Sequence, residues 1–307
     1  MTTIFQKHGM RMPWLNIMEN HPAMMLASVF RCGRVALHLL YAVVLAVIYP
    51  YLDQTGQRRI LKTWSRQLLI ILNIGIRIEG QQLARGESGC LLVANHISWL
   101  DIFVLNAIHP SQFIAKSEVR DWPLIGWLAR RSGTIFIERA LRQNASAINR
   151  RVSLLLKQDA CIGLFPEGTT TDGKQVGHFH SALFQPAADA GIRMCPIALR
   201  YHDEEGYPSS AAAFTGETTL IQSIWKILRS PHLNALVVFT PALQTANENR
   251  RILARAAQKA IAQELQNTGS TRQTVMQEAR SEFPQTLLSS QSAYALLVEP
   301  LLNQPPK

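Results

Sequence analysis

Charge is scarce in this chain of 307 residues: Asp, Glu, Lys and Arg make up 17% of it, below the roughly 25% of ordinary soluble domains. Aromatic residues reach only 7%, and the four cysteines, Cys32, Cys90, Cys161 and Cys195, include no CxxC pair. That spacing supports neither a zinc site nor a disulfide framework, so no metal is expected. Three of the four lie in or beside apolar runs, where a thiol behaves as a small hydrophobe, and we read the set as buried thiols of a reducing compartment. No G-x-S-x-G elbow and no Walker loop occurs, which argues against a serine hydrolase of that kind and against a P-loop enzyme. Acidic residues are in deficit as well. Lys and Arg number 31 against 21 Asp and Glu, a net charge of +10. Few charges with a positive excess suit an anionic partner, either nucleic acid or a membrane face. No basic stripe interleaved with aromatics appears, so nucleic acid is not expected.

What is abundant is apolar. Hydrophobic residues make up 47%, enough for a sizeable core and too many for a disordered chain. Val35 to Leu52 runs 18 positions interrupted only by His38, the lower limit for a spanning helix. It begins too far from Met1 for an ordinary signal peptide, and no A-x-A cleavage site follows. Arg31 and Arg34 precede it; Arg58, Arg59, Lys62 and Arg66 follow. A spanning helix usually shows a Lys/Arg bias between its ends, and here both ends are basic. A second apolar stretch, Leu68 to Gly75, comes next. Residues 1–66 hold eight Lys/Arg against Glu19 and Asp53. This pattern predicts a membrane-associated helical hairpin, with cations against anionic headgroups and in-plane placement preferred over spanning.

Beyond residue 88 short apolar runs alternate with helical spacing. Expected strands are Cys90–Ala94, Gln112–Ala115, Thr134–Glu138, Cys161–Phe165, Met194–Arg200 and Leu236–Thr240. Expected helices are Trp99–Ile108, Ala145–Gln158, Ser181–Ala190 and Asn247–Leu265. The alternation predicts an α/β fold, a mostly parallel mixed sheet flanked by helices. Three parts are expected: a membrane-associated segment over 1–75, an α/β domain over 76–267, and a weakly ordered tail over 268–307 with a helix near Ala293–Leu302.

Three strand ends carry candidate chemistry. After the strand LLVA comes Asn95-His96-Ile97-Ser98-Trp99-Leu100-Asp101. A histidine leaving a strand, with a carboxylate five residues on, suits a base whose tautomer the carboxylate fixes. The same H-x4-D arises by chance, with the histidine bonded locally and the aspartate placed near a helix start. With no evident protein nucleophile, the nucleophile is expected to be a substrate hydroxyl. Gly133 to Arg139 forms a strand ending in a cation, suited to phosphate or carboxylate, or simply an ion pair of Arg139 with Glu138. Phe165-Pro166-Glu167-Gly168-Thr169 follows another strand; its backbone N–H groups could face an anion, or it is an ordinary turn. Such strand ends collect at one edge of an open parallel sheet, where ligands bind.

In order and spacing these blocks resemble the glycerolipid acyltransferase superfamily, bacterial 1-acylglycerol-3-phosphate acyltransferases in particular. N-H-x4-D matches Asn95, His96 and Asp101; G-x-x-F-I-x-R matches Gly133 to Arg139; F-P-E-G-T matches Phe165 to Thr169; an apolar strand with proline matches Cys195 to Leu199. The resemblance implies that His96 deprotonates the acceptor hydroxyl, that Asp101 orients His96, and that Arg139 binds the acceptor headgroup. It also implies that Glu167 and Gly168, with Thr169, shape the acceptor site, and that Lys116 stands near it. The implied acyl donor is an acyl-CoA or acyl-carrier-protein thioester, with no cofactor and no metal. The implied acceptor is a lysolipid, most directly 1-acylglycerol-3-phosphate giving phosphatidic acid, and the implied location is the cytoplasmic face of a bacterial inner membrane. One departure matters. Many lysophosphatidate enzymes continue F-P-E-G-T with arginine, whereas position 170 here is threonine, as in lyso-ornithine-lipid and some lysophospholipid acyltransferases. The alternatives are therefore another lysolipid acceptor and, in a different class, an inactive lipid-binding protein. The latter would be expected to lack His96, Asp101 or Glu167, and all three are present.

Overall fold

The computed structural model describes residues 22–80, 89–137 and 142–282. Helix α1 (Pro22–Ile48) and helix α2 (Gln54–Ile71) form a hairpin about a turn at Tyr49–Tyr51. Asp53 caps α2, its Oδ1 accepting from Gly56 N at 2.8 Å. Trp64 of α2 stacks on His38 of α1 with ring centroids 4.6 Å apart. Strands β1 (Ile74–Gly80) and β2 (Cys90–Ala94) follow, then α3 (Leu100–Ile108), β3 (Gln112–Lys116), α4 (Ile125–Arg131), β4 (Ile135–Ile137), α5 (Arg142–Lys157) and β5 (Ile162–Leu164). The chain continues through α6 (Gln185–Ala190), β6 (Arg193–His202), α7 (Leu220–Arg229), β7 (Leu233–Phe239), β8 (Leu243–Gln244) and α8 (Arg250–Glu282).

These strands make one eight-stranded sheet in the order β1-β7-β6-β2-β5-β3-β4, with β8 beside β6. β6, β2, β5, β3 and β4 run parallel; β7 and β8 pair antiparallel to β6, and β1 runs parallel to β7. The sheet is mixed and mostly parallel, with helices on both faces. Its alternation follows the period of two that a pleated strand imposes. On β2, Cys90, Leu92 and Ala94 face the layer holding Val35 of α1, Leu69 of α2, Val104 of α3 and Ile227 of α7. Leu91 and Val93 face the opposite layer, with Val152 of α5 and Ala257 and Ile261 of α8.

Four expectations change. Leu68–Gly75 is not the apolar half of a lipid-facing hairpin: Leu68, Leu69, Ile71 and Leu72 are buried in the core, and Ile74 opens β1. Asn73, at φ +59°, turns the chain between them. Ser181–Ala190 divides into a 3-10 turn over Ser181–Phe184 and α6, which has a proline in its first turn. Helix α8 runs on to Glu282, into the segment expected as tail, while Ala293–Leu302 lies outside the described residues. Cys90, Cys161 and Cys195 are buried, but Cys32 on α1 is exposed.

Candidate active site

Because β2, β3, β4 and β5 are parallel, their carboxyl ends share one edge, and the loops after β2 and β5 meet there. Asn95 holds the end of β2 against β6: its Nδ2 donates to Leu199 O at 3.0 Å and its Oδ1 accepts from Leu199 N at 2.7 Å. The next residue, His96, leaves the strand and points its ring back at Asp101 in the first turn of α3. Nδ1 of His96 stands 2.8 Å from Oδ2 of Asp101. That same oxygen accepts from Ile97 N at 2.7 Å and Ser98 N at 2.9 Å, and Oδ1 accepts from the Tyr201 hydroxyl at 2.7 Å. A carboxylate supplied with donors at both oxygens has no proton to offer, so Nδ1 carries the hydrogen and Nε2 keeps its lone pair. Asp101 has a fully buried side chain, whereas the His96 side chain is 18% exposed. The arrangement is a buried charge facing a partly open base.

The ring plane of His96 is set by Phe165, which stacks on it at 4.1 Å and 10°. Phe165 in turn stacks on Phe113 of β3 at 5.5 Å. The loop after β5 then closes as a turn, Gly168 N donating to Phe165 O at 3.1 Å with Gly168 at φ +66°. Glycine accepts that left-handed conformation at little cost. The turn aims Glu167 inward. Its Oε1 accepts from His96 N and its Oε2 from Gly177 N, both at 2.8 Å. Burial pushes the Glu167 carboxyl above its ordinary value, opposed by those two backbone donors and by His96. Thr171 N donates to His96 O at 2.8 Å, so the loop grips the histidine backbone from both sides.

Residues 75–200 match the family model described as Acyltransferase. A lyso-ornithine lipid O-acyltransferase of Pseudomonas aeruginosa is 35% identical over 254 residues, covering 82% of this chain and 96% of that protein. The chain belongs to the acyltransferase family. A 1-acyl-sn-glycerol-3-phosphate acyltransferase of Neisseria meningitidis is 36% identical over 187 residues, 61% of this chain and 72% of that protein. Among solved structures, the 1-acyl-sn-glycerophosphate (LPA) acyltransferase of Thermotoga maritima superimposes with a TM-score of 0.54 at 19% identity, covering 77% of this chain and 97% of that one. That likeness is one of fold.

Within this acyltransferase fold, the structure brings His96, Asp101, Glu167 and Gly168 together. Thr169 is exposed at the tip of the turn. Lys116, also exposed, ends β3 on the same edge, and among the described residues it makes no hydrogen bond or ion pair with the His96 group. Arg139 and Glu138 lie outside the described residues. The Thr170 hydroxyl donates to Phe214 O. Sequence reasoning missed Tyr201. The expected strand stops at Arg200, one residue short, and the tyrosine reaches Asp101 only because β6 lies beside β2. Phe165 was read as the last residue of the strand Cys161–Phe165 and the first of the F-P-E-G-T block, with no contact to His96 expected, because the two meet only through the pairing of β2 with β5. One trio of potential metal ligands occurs among the described residues, and it lies at the opposite edge of the sheet.

Proposed function

We propose that the chain transfers an acyl group from an acyl thioester, on coenzyme A or acyl-carrier protein, to the free hydroxyl of a lysolipid, with 1-acylglycerol-3-phosphate as acceptor and phosphatidic acid as product. The observation that carries this reading is the His96–Asp101 pair, with Nε2 as the open position. His96 Nε2 takes the proton of the acceptor hydroxyl as its oxygen attacks the thioester carbonyl. Asp101 stabilises the imidazolium that forms. Collapse of the tetrahedral intermediate breaks the carbon–sulfur bond, and Nε2 returns the proton to the leaving thiolate. Glu167 acts as a positioning residue, holding the backbone of His96 against the loop at Gly177. Lys116, at the end of β3 on the same edge, supplies positive charge for the headgroup, and the family pattern assigns the same role to Arg139.

A second reading has its own support. Position 170 carries a neutral side chain already bonded to Phe214 O in the segment after β6, and the match to the Pseudomonas protein extends over more of the chain than the match to the Neisseria protein. Lyso-ornithine lipid is therefore the alternative acceptor.

The membrane geometry follows from α1, which together with the turn after it gives a stretch, Met25–Tyr51, long and apolar enough to cross a bilayer by length and composition. One stripe of it is attached to the domain along nearly its whole length. Ser28 Oγ donates to Leu228 O at 3.2 Å, Arg31 to Ser230 O at 3.1 Å, and His38 Nε2 to Trp64 O at 3.1 Å; Val35, Ala42, Ala46 and Tyr49 are buried. Standing α1 across a bilayer would carry α2, α7 and their loops into hydrocarbon, where each unsatisfied backbone group costs several kcal/mol. The opposite stripe, including Leu26, Phe30, Leu37 and Val44, is exposed. We therefore infer in-plane attachment to the cytoplasmic face of a bacterial inner membrane, with α1 half sunk in one leaflet. His96 lies on the same side of the sheet as α1, so a lysolipid reaches it from that leaflet. Offering labelled acyl thioester with lysophosphatidate and lyso-ornithine lipid in parallel tests the acceptor. Preference for lysophosphatidate supports the first reading, and preference for the ornithine lipid replaces it with the second.

A further inference from the structure

The amino edge of the parallel sheet, opposite His96, brings together three side chains that no short spacing in the sequence connects. Cys90 opens β2, and Cys161 directly precedes β5. The parallel register pairs Leu91 with Ile162, which sets the two cysteines side by side. Their Sγ atoms are 3.0 Å apart, and both residues are buried. His109 ends α3, and its ring reaches the same point: its ligand nitrogen and the two sulfurs all lie within 4.8 Å of one another. His109 Nδ1 is buried, and the imidazole stands within reach of the Cys161 thiol.

The three segments are held independently. Gln112 N donates to Cys161 O at 2.9 Å, and His109 N to Leu105 O at 2.7 Å. Ser111 takes hold of the turn carrying His109 from two directions, its N donating to Asn106 Oδ1 at 2.8 Å and its Oγ to His109 O at 3.0 Å. Holding ligands in place before the ion arrives lowers the ordering cost of binding.

We propose that Cys90, Cys161 and His109 form a binding site for a single thiophilic metal ion, with Zn²⁺ as the ion. The donor set is two thiolates and one imidazole, the ligands that soft and borderline metals select. Zinc bonds of about 2.3 Å to sulfur and 2.0 Å to nitrogen place tetrahedral sulfurs about 3.8 Å apart, so the two strand ends need to separate by less than an ångström. On binding, both thiol protons leave to solvent while two Zn–S bonds and one Zn–N bond form. The charges of the ion and the thiolates then cancel, which suits a buried position. A Cys90–Cys161 disulfide would also use both sulfurs but would take the thiol away from the buried His109 ring. The metal satisfies all three atoms. The ion would join β2, β5 and the end of α3, and α3 carries Asp101 in its first turn.

The test uses the full-length protein in detergent micelles, reduced, freed of metal with a chelator and titrated with Co²⁺, whose thiolate complexes absorb in the near ultraviolet. The expected result is a thiolate-to-cobalt band that saturates at one ion per chain and is displaced by Zn²⁺. Loss of a hydrogen-bond partner behind a ligand already weakens metal binding by about 10- to 100-fold, so loss of a ligand itself in Cys161→Ser should abolish the band. His109→Gln, at a half-buried helix end, should bind more weakly and serves as the second variant if Cys161→Ser does not fold. Absence of a saturable band overturns the proposal, as does a band whose affinity is unchanged in His109→Gln.

Discussion

Replacing Asp101 with asparagine separates charge from shape at the centre of the site. The asparagine carbonyl can take the place of Oδ2, accepting from His96 Nδ1, Ile97 N and Ser98 N, while its amide donates to the Tyr201 oxygen. The ring orientation and the free Nε2 are then preserved, and only the negative charge is lost. That charge matters when His96 takes the acceptor proton. At a separation near 4 Å and an effective dielectric of about 20, carboxylate and imidazolium attract by about 4 kcal/mol. Losing it from the transition state slows transfer by about 10³-fold. The folded state should change much less, because the hydrogen bonds are largely kept; about 1 kcal/mol of stability is expected to go with the Tyr201 hydroxyl's reversed role. Steady-state acyl transfer and a thermal melt on the same preparation give both numbers. An Asp101→Asn enzyme within tenfold of wild type, with an unchanged melt, would refute the assignment of Asp101 as stabiliser of the imidazolium.

Further outcomes follow from the same geometry. Tyr201→Phe removes one hydrogen bond to a buried charge while keeping the ring, and should cost about 1.5–3 kcal/mol in denaturant unfolding; since Oδ2 still holds His96, turnover should fall far less than in Asp101→Asn. Glu167→Gln leaves one of two backbone donors facing an amide NH₂, so activity should fall as the His96 loop loosens. Because burial raises the folded carboxyl above its ordinary 4.5, the native state binds this proton more tightly than the unfolded chain. Its contribution to stability is therefore fully present below that ordinary value and is lost as pH rises through the folded one. The wild-type melting temperature should accordingly fall relative to Glu167→Gln as pH climbs through this range, and parallel curves would contradict the desolvated carboxyl. Ile221, 79% exposed on α7, and Trp225, 40% exposed one turn on, belong to a helix bonded to α1. The double change Ile221→Asp, Trp225→Asp should weaken binding to anionic vesicles by tenfold or more on the scale of about 1.5–3 kcal/mol per buried side chain, measured by co-sedimentation. Unchanged binding would place the membrane face elsewhere.

Much of the fold was readable because its signals are local. Cys90–Ala94 and Cys161–Phe165 are short apolar runs bounded by breakers, and the H-x4-D spacing itself returns the carboxylate to the histidine through one helical turn. What escaped depends on contacts between distant segments. Tyr201 meets Asp101 across neighbouring strands, and the Cys90–Cys161–His109 trio exists only through strand register. The Leu68–Ile71 run has the same composition whether it faces lipid or core, and only its packing against α3 and the sheet decides. β1 was hidden because its residues 74–80 continue directly from that apolar helix, with only the left-handed Asn73 to mark the change. Helix α7 had a signal that went unread: Thr219 and Gln222 form a capping box at its start.

The mechanism turns on the role of His96 as the base in transfer of an acyl chain to a lysolipid hydroxyl. It is tested most directly by incubating purified wild-type and His96→Ala protein with labelled acyl thioester and lysophosphatidate in mixed micelles, and measuring the diacylated product. The expected result is product formation by the wild type and loss of transfer in the variant, with an unchanged melting temperature. A folded variant that keeps its rate within about tenfold, a barrier change of only about 1.4 kcal/mol, would contradict it.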